Sequence, residues 1–394
     1  MHIGFLSPHD PRDRRSFSGT AYYMYRALKQ LPGVQVSIIG ENIHRRASMA
    51  QSILATADRL SGGRLNLTKY SRRSLIAALV KEAQSYVKGA GSHERPDLIV
   101  APVASDIVGN IQIDKHSPPI VFVTDATYSF IRDFYRWPMP DEHVSRERQT
   151  IRNATAVVYS SKFMAQRAIK DFSGGEGDVS EKVKHVPFGL NMDRFSVENA
   201  VDLPDPDNGL NLIFVGREWQ RKGGDIALAA TQQLRDKGGV SVHLTIVGCD
   251  PQEAKKIDWV DVYPYLNKNI PSQQKTYFNL LQRSHFLLLP TRADCTPMVI
   301  AEANAMGVPV ITSNVGGIPS LVKNGETGVM LEDGTGYDAY AKTIEHLVAN
   351  RKNYYAFREN AKKHYQDYLN WDSWAEGVLN AVQPLMEGAK RELR

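Results

Sequence analysis

HFLLLPTRADCTPMVIAEANAMGVPVITS, residues 285–313, sets a short apolar run, a polar loop, an apolar helical stretch and a second apolar run in succession. HFLLLP (285–290) and VPVITS (308–313) have the length and composition of strands buried on both faces. Joined by a helix, they form a β-loop-α-β unit of an open parallel sheet, which binds ligands beyond the carboxyl ends of its strands. Asp294 lies in the loop and Glu302 eight positions later, with Cys295, Thr296 and Pro297 between loop and helix. First-turn N–H groups of a helix starting near Pro297 have no intrahelical partners, and with the helix dipole they attract an anion such as a diphosphate. Carboxylates flanking such a subsite are placed to accept hydrogen bonds from ribose and sugar hydroxyls. The stretch reads as a nucleotide-sugar pocket. Two acids eight apart also arise by chance at a helix edge, and the strand–loop–helix frame is what favours the pocket.

Working outward, FVGREWQRKGG (214–224) is a second strand-loop-helix junction, with Arg217, Arg221 and Lys222 between Gly216 and Gly223. Cations on a loop leaving a parallel strand point into the ligand crevice, where a diphosphate needs charge neutralisation. The alternative is a solvated loop. The first β-α turn, FLSPHDPRDRRSFSGTAYYMYRAL (5–28), opens its helix at Ser18-Gly19-Thr20, and Gly19 permits close approach by a phosphate or sugar. It lacks the G-x-G-x-x-G of a dinucleotide fingerprint. Arg12, Arg14 and Arg15 in this turn either meet an acceptor or face water. In VTDATYSFIRDFY (123–135), Asp125 follows an apolar run and either reaches the crevice or makes an Asx turn or N-cap. Tyr263–Asn267 (YPYLN) ends a possible strand and either contacts a base or packs.

The same grammar runs along the whole chain. Strands are expected at 2–6, 34–39, 97–101, 119–124, 155–159 and 183–187, with helices over 20–31, 71–88, 142–152 and 161–172. Residues 196–209 (SVENAVDLPDPDNG) are acidic, rich in turn formers and nearly free of apolar periodicity, as a linker is. Strands then return at 210–216, 241–248, 285–290, 308–313 and 328–331. Helices are expected over 223–237, 272–283, 298–306, 317–323, 336–350, 353–367 and 372–388, the last capped by Asp372 or Ser373. The 394 residues exceed one ordinary core, so two doubly wound parallel-sheet domains with a cleft between them are expected.

Composition limits the class. The net charge of +5 comes from the basic first half. Such a surface is either simply solvated or suited to anionic lipid heads, phosphorylated ligands or nucleic acid, and no nucleic-acid motif accompanies it. Two cysteines, Cys249 and Cys295, make no disulfide framework and fit a reducing cytoplasm. MHIGFLSP reads as a first strand, too short in its apolar run for a signal peptide. No stretch approaches the ~20 apolar residues of a membrane span. The histidines show no metal-ligand spacing, and neither a G-x-S-x-G elbow nor a G-x-x-x-x-G-K-[ST] loop is present.

Together these motifs resemble those of retaining GT-B glycosyltransferases of the large family 4 (glycosyl transferases group 1) class. HVPFGLNMDRF (185–195) is similar to that family's strand and loop before the linker. VGREWQRKGG is similar to its diphosphate loop, and DCTPMVIAEANAMGVPVI (294–311) to its E-x7-E signature. The resemblance implies a GT-B fold, α/β, with two Rossmann-like domains facing a central cleft. Their limits are 1–195 on the acceptor side, a linker at 196–209, 210–372 for the nucleotide sugar, and a C-terminal helix from about 373 crossing back. It implies a metal-independent hexosyltransferase without cofactor, using a nucleoside diphosphate sugar, a UDP- or GDP-sugar foremost, and keeping the anomeric configuration. Arg217 and Lys222 would hold the diphosphate and Glu302 the ribose. Asp294 would hold the transferred sugar, together with the backbone around Cys295, Thr296, Met298 and Val299.

Two departures bear on the donor sugar and the chemistry. The first acid of the signature is Asp294 rather than Glu, and Asp125 stands where many members carry His. The acceptor is a saccharide, a lipid-linked molecule or a small molecule, with peripheral contact to the inner membrane face open and nucleic acid excluded. Two other readings of the same fold remain: a catalytically silent binding subunit, and a sugar-nucleotide epimerase or hydrolase.

Overall fold

The computed structural model of the chain describes residues 1–60, 67–89, 94–174, 177–193 and 205–392. Of the expected linker, residues 196–204 lie outside the described residues, as do Arg194 and Phe195 of the motif before it. The chain divides into two units. One comprises Met1–Ser160, Met164–Val186 and the segment from Trp374; the other comprises Ser161–Phe163 and Pro187–Ser373.

In the first unit, β1 (His2–Phe5), β2 (Gln35–Ile38), β3 (Leu98–Pro102), β4 (Ile120–Thr124), β5 (Ala156–Tyr159) and β6 (Val183–His185) form one parallel sheet, ordered β2-β1-β3-β4-β5-β6. Its helices are α1 (Thr20–Gln30), α2 (Glu41–Leu60), α3 (Leu67–Lys88), α4 (Ser105–Val108), α5 (Tyr128–Phe134), α6 (Asp141–Asn153) and α7 (Lys162–Phe172). Strands β3, β4 and β5 are buried throughout, as continuous apolar runs covered on both faces must be.

The second unit repeats the plan with β7 (Leu210–Val215), β8 (Val242–Val247), β9 (Val260–Tyr263), β10 (Phe286–Leu289), β11 (Val310–Ser313) and β12 (Gly328–Leu331). The order is β12-β11-β10-β7-β8-β9, all parallel. Chain order reverses between β10 and β7, where Leu287 faces Ile213 on one side and Val310 on the other. This is the topological switch point of a dinucleotide-binding sheet, and the loops leaving β7 and β10 flank the crevice there. The helices are α8 (Gly224–Asp236), α9 (Pro271–Gln282), α10 (Met298–Ala305), α11 (Tyr337–Ala349) and α12 (Arg351–Asp367), and α13 (Trp371–Glu392) follows. Helix α10 is apolar on nearly all sides and accordingly buried from Val299 to Ala305. Two all-parallel six-stranded sheets with flanking helices are the GT-B fold that the motifs implied.

Several local readings need correction. The helix expected at 317–323 is one 3-10 turn, Ile318–Ser320, with Pro319 in it. Neither Asp372 nor Ser373 caps α13: the Asn370 side chain accepts the Ser373 N–H at 2.9 Å. Helices α2 and α4 were not foreseen as elements; the possible strand ending at Tyr263 is the edge strand β9.

Candidate functional site

The switch point of the second unit is built by two loops pressed together. A Cβ on Gly223 would lie 1.8 Å from the Pro290 carbonyl oxygen, and the residue has φ +76°. Only glycine permits that approach. The Arg292 N–H donates to the Arg221 carbonyl at 2.8 Å, and Arg221 Nη1 donates to the Ala293 carbonyl at 2.5 Å. Arg292 grips Asp225 in the first turn of α8 through two bonds of 2.9 and 2.8 Å. A third loop closes from β11. The Gly317 N–H donates to the Asp294 carbonyl at 3.0 Å, and a Cβ there would lie 1.7 Å from the Cys295 carbonyl oxygen.

Within this frame the Lys222 ammonium donates to Asp294 Oδ2, the two side chains being 13% and 8% exposed. The cation and the carboxylate that the sequence placed 72 residues apart thus meet at the mouth of the switch point. Beyond Asp294, Cys295 is buried and in no disulfide, Thr296 precedes Pro297, and α10 begins at Met298 with no side chain capping it. Its leading N–H groups are the anion-attracting end of the helix.

Glu302, one turn into α10, is 2% exposed. Its carboxylate accepts from the Tyr277 hydroxyl of α9 and from the Lys268 ammonium. Burial, and then the adjacent Glu302 charge, raise the Tyr277 hydroxyl pKa well above its usual value, so Tyr277 is a donor throughout the physiological range. Lys268 and Tyr277 were not singled out in the sequence. The clue available was position, since Lys268 lies in the loop leaving β9, just past the stretch 263–267.

The remaining candidates are placed differently. Arg217 is exposed, its guanidinium 5.9 Å from the Tyr265 ring centroid, within cation–π range. Arg221, read as a ligand cation, is engaged by Glu218 at 2.6 Å and by Ala293. In the first unit, Gly19 caps α1 with φ +85°, the conformation that requires glycine there. Asp125 directly follows β4 and is half-buried. The cap of α5 is Thr127, whose hydroxyl accepts the Phe130 N–H at 3.1 Å, so capping does not account for Asp125. Arg12 pairs with Asp10 at 2.9 Å and Glu41 at 3.0 Å, and Arg15 with Asp13 at 2.8 Å. Arg14 lies over the Tyr22 and Tyr23 rings. Among the described residues no three His, Cys, Asp or Glu side chains cluster as a metal would need, and no helix is long and apolar enough to cross a membrane.

Residues 198–364 match the family model of glycosyl transferases group 1. The D-inositol 3-phosphate glycosyltransferase of Thermobifida fusca is 23% identical over 260 residues, 62% of this chain and 59% of that protein. The protein of the same name from Rhodococcus jostii is 28% identical over 180 residues, 45% of this chain and 34% of that protein. The chain therefore spans less than two thirds of the length of these curated relatives. Among solved structures, HepE of Anabaena in complex with UDP and glucose superposes with a TM-score of 0.60 at 15% identity, covering 98% of this chain and 100% of HepE. Sucrose-phosphate synthase of Thermosynechococcus elongatus superposes with a TM-score of 0.58 at 18% identity, covering 80% and 79%. At such identities the likeness shows the fold.

Proposed function

We propose, for a chain whose residues 198–364 match the model of glycosyl transferases group 1 and which has the GT-B fold, the transfer of a hexose from a nucleoside diphosphate sugar to an acceptor hydroxyl. The anomeric configuration is retained. One observation carries this reading. Lys222, Asp294 and the uncapped start of α10 converge where the loops of β7 and β10 meet, at the point of the sheet where a dinucleotide's phosphates bind.

Each residue has a task in this reading. The Lys222 ammonium and the α10 N–H groups near Met298 and Val299 stabilise charge gathering on the departing diphosphate. Such preorganised donors supply a large share of an enzyme's barrier reduction. Lys222 exchanges its Asp294 partner for phosphate, which frees Asp294 to accept from a sugar hydroxyl beside Cys295 and Thr296. Arg217, exposed at the loop's tip, adds a second cation once the diphosphate is present. Glu302 accepts from the ribose hydroxyls while Tyr277 and Lys268 hold its carboxylate in place. A diphosphate oxygen takes the acceptor proton, so no separate protein base is needed. Gly19 and Asp125 are assigned to the donor and acceptor side of the first unit. The HepE structure contains UDP and glucose, which makes UDP-sugars the first donors to try.

The test is release of free nucleoside diphosphate from a panel of UDP-, GDP-, ADP- and TDP-sugars, with and without acceptors. Acceptor-dependent release is expected. Donor consumption without any acceptor would mean a hydrolase or epimerase, and tight donor binding without turnover a silent subunit.

A further inference from the structure

The first unit holds a cavity of about 940 Å³ that the donor chemistry leaves unused, walled by α3, α4, α5 and α6. Helices α4 and α5 directly follow β3 and β4, so the cavity opens at the carboxyl ends of the strands, where such sheets take ligands. Its α3 wall reads straight from the sequence. Arg72, Ile76 and Val80 recur every four residues, a spacing that places them on one helix stripe. The stripe starts with the guanidiniums of Arg72 and Arg73 and continues aliphatic, and Met139 extends the apolar part.

The two sides differ in charge balance. Across from α3, Asp106 accepts from His143 Nδ1 at 3.2 Å and Arg146 Nη1 at 3.3 Å, and Arg146 also pairs with Glu142. The carboxylates of that wall pair within it, with Arg146 and His143, and not with α3. Arg72 and Arg73, in contrast, pair with no carboxylate among the described residues. The Arg72 charge is felt nearby: burial first, then Arg72 and His44, lower the pKa of His9 to about 4. His9 is therefore neutral at pH 7 and adds no charge of its own. What remains is two uncompensated cations at one end of a mainly aliphatic stripe. The volume is at the upper end of the range for drug-sized ligands, far more than inorganic phosphate fills.

We propose that this cavity seats an anionic amphiphile, a phosphate ester whose anion meets Arg72 and Arg73 and whose apolar body lies along Ile76, Val80 and Met139. Calling this molecule the glycosyl acceptor rests on the function proposed above; the site itself does not. The probe is octyl phosphate, titrated calorimetrically into the full chain below its micelle concentration, with octanol and inorganic phosphate as comparisons. A single saturable site is expected, at least tenfold tighter for octyl phosphate than for either comparison. The double variant Arg72→Ala/Arg73→Ala should lose at least tenfold for octyl phosphate and bind octanol unchanged. Ile76→Asp should abolish binding of both. A melting temperature and circular-dichroism spectrum close to the parent's report that these variants are folded. The proposal is overturned if octyl phosphate shows no saturable site, or binds the double arginine variant as it binds the parent. Octyl phosphate binding with no donor binding in the parent would support this site and sink the donor reading; donor turnover without octyl phosphate binding would sink this site alone.

Discussion

Replacing Lys222 with methionine removes one charge of a buried pair while keeping most of the stem's volume. Both side chains are less than one-seventh exposed, so Asp294 would be left as a lone carboxylate where little water reaches it. Breaking such a pair by removing one partner costs about 3–5 kcal/mol, mostly through the uncompensated charge. Against a whole-domain stability of about 5–15 kcal/mol, this should be plain in hydrogen exchange at 286–305, as earlier local opening of β10, the loop and α10. Adding Asp294→Asn removes the stranded charge and should recover most of the loss. Affinity for nucleoside diphosphate separates structure from function. Both the single and the double variant lack the ammonium, so both should bind at least tenfold more weakly than the parent, by charge-assisted bonds of about 1.5–3 kcal/mol. Should the double variant recover affinity along with stability, Lys222 serves only to neutralise Asp294, and the diphosphate reading of this loop is wrong.

Other perturbations reach the frame around the site. Burial pushes the Glu147 carboxyl up to about 8 despite the Tyr128 N–H it accepts. Its folded-state pKa lies above the ordinary 4.5, so the native state keeps the proton longer and stability falls as pH rises from about 4.5 to 8. Glu147→Gln should remove that slope, leaving the variant more stable than the parent at pH 8.5 and close to it at pH 5; superimposable pH profiles of unfolding would contradict the shift. Gly317→Ala should cost far more than the ~1 kcal/mol typical of single changes, because its Cβ meets the Cys295 carbonyl. Gly325→Ala, at φ +80° but in open space, should cost only the backbone strain, and equal melting temperatures for the two variants would argue against the tight turn. Tyr277→Phe removes a buried donor from Glu302 at about 1–3 kcal/mol and should raise the donor KM more than it lowers kcat. An unchanged KM would separate Glu302 positioning from donor binding.

The parts of the fold legible in the sequence share a physical cause. Strands β10 and β11 are buried on both faces, so their apolar runs stand out, and the tight contact of the β7 loop leaves a glycine at 223. Elements lacking that contrast stood out less or not at all. Strand β9 sits at a sheet edge, half-exposed, in a sequence (DWVDVYPY) that alternates only weakly. Helices α4 and α5 are four and seven residues long, too short to show a period. At 317–323 apolar residues continue, but Pro319 and the turn that follows permit only a 3-10 turn. In the site, Asp294 and Glu302 stood out by spacing within one motif. Lys268 and Tyr277 did not, because their contacts to Glu302 span 34 and 25 residues and depend on how α9 packs against α10. The sequence likewise could not reveal that Arg221 turns into its own loop while Arg217 stays exposed.

The central claim is that one pyrophosphate is held between Lys222 and the start of α10, and a crystal structure with UDP bound tests it most directly. The prediction is Lys222 Nζ released from Asp294 and within ~3 Å of a phosphate oxygen, with the Met298 or Val299 N–H on the same group and the ribose at Glu302. UDP bound elsewhere, or bound here with Lys222 still paired to Asp294, would contradict it.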